Sequence, residues 1–418
     1  MKYAPAILVG RLTRIAARLR KPGGGSAVPG LVVNTIAPRY LGTTLSGFPR
    51  GLVVVTGSSG KSTTTKMLVA ILRAHGEAVF TNPSTANISQ GLTSALLEQA
   101  DWRGHVPGDV AVLEMDEGHG ARVMEGVDAQ VVTLTNVMVD QIDRFHDSEM
   151  VAGMLAKIAA RADGCVVVNA DDAYLERIAG GLRDGVAVRR FGVSPTVLAA
   201  APRGLGHTET SSERLDPADG VVVASVDGAS AVLADAGRDV AIGLPARGTH
   251  YAIDAAAAYA TARAVLGEQF DPEVAARALS AIPAVFGRGE RVTVRGQEVD
   301  FVLVQNPASY QLNVDSIAPG TDRILFAIGS DVRDPSYFWP TDASSLGRVS
   351  IVSGSKADEA ALMLAYDGVE IDRVEHDLGR ALDDFLAGPA PTSGVKTIVF
   401  SADAMRRTRA HLGLTGAE

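Results

Sequence analysis

Lys61 and Ser62 stand directly behind two glycines in the run Gly57-Ser58-Ser59-Gly60-Lys61-Ser62-Thr63, and an apolar stretch, Leu52–Val55, leads into it. Residue types in this order bind phosphate. Glycines let the backbone approach an anion with no Cβ in the way. The free N–H groups of the helix that begins at Lys61, together with its dipole, favour negative charge. Lys61 is placed to reach terminal phosphates, and the Ser62 hydroxyl to ligate Mg²⁺. The spacing, GxxGKS, is two residues shorter than the common GxxxxGK[ST] loop. A plain Gly/Ser turn before a helix would need neither the lysine nor the hydroxyl.

Glu114 closes a second apolar run, Val110–Leu113, and a carboxylate there can hold Mg²⁺ opposite Ser62. Asp116 and Glu117 follow it, and His119 in the same turn reads as a surface histidine. Asn136 with Asp140, Gln141, Asp143 and Arg144 forms one polar cluster, and Asn169 with Asp171 and Asp172 another. Either can position nucleotide or metal, and some of these acids cap helices. Arg288, in Phe286-Gly287-Arg288-Gly289-Glu290-Arg291, is spaced to reach a phosphate across a cleft, or is simply part of a basic linker. Asp331, Asp334, Trp339 and Asp342 share a loop of aromatic and proline residues, a pattern common in binding surfaces.

The elements that must position these residues alternate. Strand-like runs at Leu52–Val55, Ala78–Phe80, Val110–Leu113, Val131–Leu134 and Cys165–Val168 are separated by helical patterns, such as Lys61–His75 stopped by Gly76. That order predicts an α/β fold with a parallel sheet covered on both faces. Ligands bind outside the carboxyl ends of such strands, and there the chain places Thr56-Gly57, Glu114, Thr135-Asn136 and Asn169–Asp172. Residues 1–48 read as an N-terminal amphipathic helix with a lead-in segment. Residues 49–285 read as the nucleotide-binding unit, with a small β-rich extension at about 191–244. Residues 286–418 read as a smaller Rossmann-like α/β unit that begins with a hairpin turning at Arg295-Gly296, with a further strand at Val369–Val374.

At 418 residues with 46% hydrophobic and 21% charged content, the chain is long enough for two or three domains and is not disordered. A net charge of −9 and no long basic stripe argue against nucleic-acid binding. The single cysteine, Cys165, excludes an intrachain disulfide and an all-cysteine zinc site, and the chain reads as cytoplasmic. Ile7, Leu8, Val9, Leu12, Ile15 and Leu19 alternate with Arg11, Arg14, Arg18, Arg20 and Lys21. Such a helix packs its stripe on its own domain or lies on the inner face of a membrane. It is too short and too charged to span one.

Taken together, VTGSSGKSTTT, LEMDE, LTNVMVDQIDR, VNADD and FGRGER resemble the Mur ligase superfamily, ATP-dependent enzymes that join amines to carboxylates. The resemblance is strongest to its MurT branch, the synthetase subunits of lipid II isoglutaminyl synthases. Gln141 in DQIDR and the segments LVQNPASY and RDPSYFW carry that part of it. It implies ATP and Mg²⁺ as cofactors. It implies phosphorylation of the D-glutamate α-carboxylate in lipid II and attack by ammonia from a GatD-type class I glutaminase partner. It further implies Lys61 and Arg288 as catalytic, with Gly57, Ser58, Ser59, Gly60, Ser62, Thr63, Asn136, His250, Asp254 and Arg288 around the nucleotide. Ser62 and Glu114 would hold the metal. Asp334 would complete the partner's catalytic triad, with Asp342 in reserve. The departures are GSSGKS for the family's GTNGKT, the sequence His250-Tyr251-Ala252-Ile253-Asp254 where relatives carry two asparagines, Gln305 for lysine and Pro340 for aspartate. The four-cysteine zinc ribbon of many relatives is missing. The alternatives are a Mur-type ligase that uses an amino acid or other amine without a glutaminase, and a non-catalytic scaffold of the same fold.

Overall fold

The computed structural model describes residues 3–20, 27–82, 88–138, 147–201, 204–283, 288–304, 307–332 and 341–414. Nine strands form the first sheet: β1 (Leu52–Thr56), β2 (Val79–Thr81), β3 (Val110–Glu114), β4 (Ala129–Leu134), β5 (Ala162–Asn169), β6 (Ala187–Val193), β7 (Gly220–Asp227), β8 (Ser230–Asp235) and β9 (Arg238–Gly243). Their order is β2-β3-β1-β4-β5-β6-β7-β8-β9. Strands β2 through β7 are parallel, and β7-β8-β9 is an antiparallel meander on the edge. The β-rich extension therefore continues the main sheet.

Every residue of β1 and β3 is buried, as central strands covered on both faces must be. Alternation splits the core into two. Val53 and Val55 face one layer; Leu52 and Val54 face the other. The first layer holds α4 (Lys61–Ala74) and α10 (Thr249–Leu266). Ala252, Ala255, Ala256, Ala257 and Ala258 are all buried in α10. Small side chains let this helix lie close under the sheet and against α4.

The second layer holds α1 (Ala4–Arg20), α2 (Val28–Ile36), α3 (Tyr40–Leu45), α5 (Ser89–Gln99), α7 (Ser148–Ala159) and α8 (Ala173–Gly180), with α6 (Glu117–Val123) after β3; α9 (Pro195–Ala199), after β6, packs into the first layer. The expected stripe of α1 is only partly used for packing. Ala6, Ile7 and Gly10 are buried, whereas Leu8, Val9, Leu12 and Ile15 lie on the outside.

The second sheet contains β10 (Arg288–Val294), β11 (Gln297–Leu303), β12 (Ile324–Ala327), β14 (Ile351–Ser353), β16 (Val374–Glu375) and β17 (Lys396–Phe400), in the order β10-β11-β17-β12-β14-β16. Strands β13 (Arg348–Val349) and β15 (Glu370–Ile371) pair separately. The β10–β11 hairpin turns at Arg295 and Gly296, both at positive φ. The strand expected at Val369–Val374 is instead two short strands in different sheets. Asp372 and Arg373 lie between them, exposed and ion-paired to Arg348 and Asp384, each pair at 2.7 Å. The chain steps from one partner strand to the next at this charged pair. Among the described residues no helix is long and apolar enough to cross a membrane.

Candidate functional site

The loop from Gly57 to Gly60 lies between the ends of β1 and β4 and the start of α4. Gly57 has φ +139°, and a Cβ there would sit 2.2 Å from Thr135 Oγ1. Gly60 has φ +80°, and its Cβ would sit 2.3 Å from Asp254 Oδ1. Both glycines are therefore required by conformation and by close approach.

The loop is tied down from the β4 side. Ser59 N–H donates to Asn136 Oδ1 at 2.8 Å, and Asn136 Nδ2 donates back to Ser59 O at 3.2 Å. Thr135 Oγ1 donates to Ser59 O at 2.7 Å. Ser58 N–H donates to Asn136 O at 3.0 Å, and Met138 N–H to Ser58 Oγ at 3.1 Å. The first turn of α4 keeps N–H groups that intrahelical bonding does not use. Thr63 contributes a buried side chain to that turn.

Lys61 is the first residue of α4. Its ammonium donates to Gly57 O at 2.5 Å and Ser58 O at 3.0 Å, and lies 3.5 Å from Glu117 Oε2. Glu117, which follows β3, is almost wholly buried. Ser62 Oγ donates to Glu114 Oε1 at 2.8 Å. Glu114 is held by Asn82 at the end of β2. The Glu114 N–H donates to Asn82 Oδ1 at 3.0 Å, and Asn82 Nδ2 donates to Glu114 O at 3.2 Å.

This donor set suits a hard cation. Mg²⁺ takes octahedral oxygen ligands at about 2.0–2.1 Å and binds through one or two protein groups, with waters and phosphates completing the shell. Neighbouring vertices of such an octahedron lie about 2.9 Å apart, close to the Ser62–Glu114 separation. Among the described residues no three His, Cys, Asp or Glu side chains converge on a metal site. Cys165 is buried in β5, where desolvation pushes its thiol up to about 11.

Asp254 approaches the loop from α10. Thr64 Oγ1 donates to Asp254 Oδ1 at 3.3 Å, so this carboxylate braces the floor of the loop. His250 lies at the start of α10, its ring centroid 4.1 Å from that of Tyr251. Asn169 Nδ2 donates to Thr135 O at 3.2 Å. Asp172 caps α8 and also accepts the Val137 N–H at 2.6 Å; burial pushes its carboxyl up to about 6. Asp171 accepts from Val193 N–H and from Arg214, and burial raises its carboxyl as well. Both aspartates tie strand ends together. Asp116 caps α6.

Arg288 begins β10, opposite Val302. Its neighbour Gly289, at φ +70°, touches the first layer: a Cβ there would lie 2.4 Å from Ala246 Cβ. Asp331 accepts from Ser401 Oγ at 2.6 Å, and Asp342 Oδ1 accepts from Ser344 N–H at 2.8 Å. Asp140, Gln141, Asp143, Arg144, Gln305, Asp334, Trp339 and Pro340 lie outside the described residues.

Three contributors were not among the expected site residues. Asn82 stands directly after β2, much as Glu114 ends β3, and that position was the available signal. Thr135 was visible beside Asn136, but its bond to Ser59 was not. His207 sits 3.3 Å from Asn169 Nδ2, and burial pulls its imidazole down to about 4. A lone histidine in an unpatterned segment gives no sequence signal.

Residues 55–262 match the Mur ligase middle domain. The chain belongs to the Mur ligase superfamily. It is 25% identical to the Lipid II isoglutaminyl synthase (glutamine-hydrolyzing) subunit MurT of Streptococcus pneumoniae, over 90% of this chain and 89% of that one. It is 29% identical to the UDP-N-acetylmuramate–L-alanine ligase of Thermobifida fusca, over 71% of this chain and 55% of that one. Its fold matches MurF ligase from Thermotoga maritima in complex with ADP, with a TM-score of 0.66 at 18% identity, over 92% of this chain and 83% of that one. Superfamily membership thus joins a glycine-bounded loop beside which a lysine, a hydroxyl and two carboxylates are grouped.

Proposed function

We propose that this protein is an ATP-dependent carbon–nitrogen ligase of MurT type, the synthetase subunit of a glutamine-dependent amidotransferase in cell wall peptidoglycan biosynthesis. Its acceptor is the D-glutamate α-carboxylate of lipid II, and its ammonia comes from a GatD-type class I glutaminase. The observation that carries this reading is the similarity to MurT along nine-tenths of the chain, joined to the Lys61–Ser62–Glu114 grouping.

In this reading the N–H groups at the start of α4 and the Lys61 ammonium hold the β- and γ-phosphates. Ser62 and Glu114 would hold Mg²⁺, which would offset charge on the transferring phosphoryl group. Glu117 holds Lys61 over the loop. The acceptor carboxylate oxygen attacks the γ-phosphorus, ADP leaves, and an acyl phosphate forms. Ammonia adds to the acyl carbon, phosphate leaves with the C–O bond electrons, and a proton is lost to give the amide. Arg288 would stabilise charge on the transferred phosphate.

The test is purification with its glutaminase partner and an assay for glutamine- and ATP-dependent amidation of lipid II. Amidated product formed only with ATP and glutamine supports the reading. ATP turnover stimulated by an amino acid, with no use of glutamine or ammonia, replaces it with a peptide-forming Mur ligase. The similarity to an alanine-adding ligase favours that second reading.

A further inference from the structure

Helices α1 and α2 bury one face and leave the other apolar. On α1 the outward positions are Leu8, Val9, Leu12 and Ile15, spaced along one helical stripe, with Leu12 57% and Ile15 58% exposed. On α2 they are Val28 and Leu31, the latter 51% exposed. The two helices pack side by side where Gly10 meets Val33; a Cβ on Gly10 would lie 2.7 Å from Val33 Cγ2. Their outward faces therefore form one apolar surface, larger than the scattered single residues that need no explanation.

The segment that carries it is basic in sequence. Residues 1–50 contain eight lysines and arginines and no aspartate or glutamate, a charge of +8 in a chain of net charge −9, so the remainder carries −17. Arg11 and Arg14 flank the apolar stripe. Arg11 donates to Ala100 O, with its guanidinium 4.4 Å above the ring of Trp102. Arg14 pairs with Glu98. Trp102 is itself strongly exposed. An apolar stripe, arginine flanks and an interfacial tryptophan match the boundary layer of a lipid bilayer.

We propose that the outer face of α1 and α2 docks on an anionic membrane surface. The alternative occupant, a second copy of this chain, would bring two basic, acid-free helices face to face, which like-charge repulsion disfavours. Anionic lipid headgroups complement that charge. The surface lies along α5 from its middle, where Gly30 N–H donates to Ser94 Oγ at 2.9 Å, to its C-terminal end, where Arg11 donates to Ala100 O. The docking surface is independent of the catalytic site; only its use for a lipid-linked acceptor rests on the proposed function.

The full chain is sedimented with vesicles of phosphatidylglycerol and phosphatidylcholine, and with phosphatidylcholine alone. Binding to the anionic vesicles, weakened by added salt and about tenfold lower on neutral ones, is expected. Leu12→Glu and Ile15→Glu should each reduce it about tenfold with circular dichroism and Tm unchanged, since both side chains are exposed. Leu362→Glu, at an exposed leucine in the second α/β unit, should leave it intact. Equal binding to both vesicle types, no binding, or full binding by Leu12→Glu overturns the proposal. So does a wild-type dimer that Leu12→Glu dissociates while neither form binds vesicles. Loss of ATP turnover in Lys61→Ala with vesicle binding retained separates this surface from the catalytic site.

Discussion

Ser62 Oγ lies 2.8 Å from Glu114 Oε1, although the two residues are 52 positions apart and belong to different elements. Pairing of β1 with β3 sets Val55 opposite Glu114, and the loop then returns Ser62 at the start of α4. The pair is positioned before any ligand arrives, and Asn82 fixes Glu114 from behind.

Glu114→Gln keeps the hydrogen bond to Ser62 but removes the charge that attracts the cation. We expect the Mg²⁺ concentration for half-maximal ATP turnover to rise about tenfold or more, with thermal stability unchanged within a degree or two. A magnesium titration of ATPase activity decides it; an unaltered Mg²⁺ requirement removes Glu114 from the metal site.

Lys61→Ala should lower ATP turnover by roughly 10²–10³, the scale for losing one preorganised charge in a phosphoryl-transfer site. The ammonium contacts loop carbonyls and Glu117 and is not part of the apolar core, so the circular dichroism spectrum should persist. Lys61→Arg should not restore activity, because a planar fork does not replace a compact point charge in a closed loop. Steady-state kinetics on folded variants provide the check.

The glycine–lysine loop, the alternation of strands and helices around it and the place of Glu114 at a strand end could be read from the chain because each is local. Asn82 and Thr135 could not, nor could the contact by which the expected Asp254 braces the loop. Their roles depend on which strand neighbours which, and on a helix some 190 residues away that passes beneath Gly60. The α1 stripe was legible as apolar, but not which part of it packs. Gly10, the contact point with Val33, carries no hydrophobic signal of its own. The split of β15 from β16 was hidden because the two short strands take different partners, β13 and β14, and that pairing is tertiary.

Gly60→Ala tests the floor of the loop. A residue with a Cβ pays roughly 1–2 kcal/mol in the left-handed region, and this Cβ would also meet Asp254 at 2.3 Å. We expect Tm to fall by roughly 2–8 °C and nucleotide affinity to drop with it. Adding Asp254→Ala should recover part of the stability by removing the collision. If the double variant is no better than Gly60→Ala, the close approach is not what demands glycine here.

Asp172 predicts a pH dependence. Burial raises its carboxyl to about 6 from an ordinary value near 4. Between those values the folded protein binds more protons at this site than the unfolded chain, so its contribution to stability falls as pH rises through about 4 to 6. It is fully present below that window and lost above it. Asp172→Asn retains an N-cap oxygen for α8 and should flatten this part of the profile. Urea denaturation at a series of pH values measures it; an unchanged slope between pH 4 and 6 assigns the dependence to other groups.

In the proposed complex, Asp334 and Asp342 are the candidates for a carboxylate that serves the glutaminase. Asp342 uses Oδ1 to accept the Ser344 N–H, a role asparagine can also fill, so Asp342→Asn should leave glutamine-dependent amidation within about twofold. In the proposed complex, Asp334 reaches the glutaminase histidine, fixes its tautomer and stabilises its charged form. Asp334→Asn should then cut glutamine hydrolysis by roughly 10²–10⁴, while amidation with added ammonia persists. That split isolates ammonia release from acyl phosphate chemistry. Equal loss of both activities would point to general damage to the second α/β unit. Full glutamine-dependent activity in both variants would mean that the glutaminase triad is complete without a carboxylate from this chain.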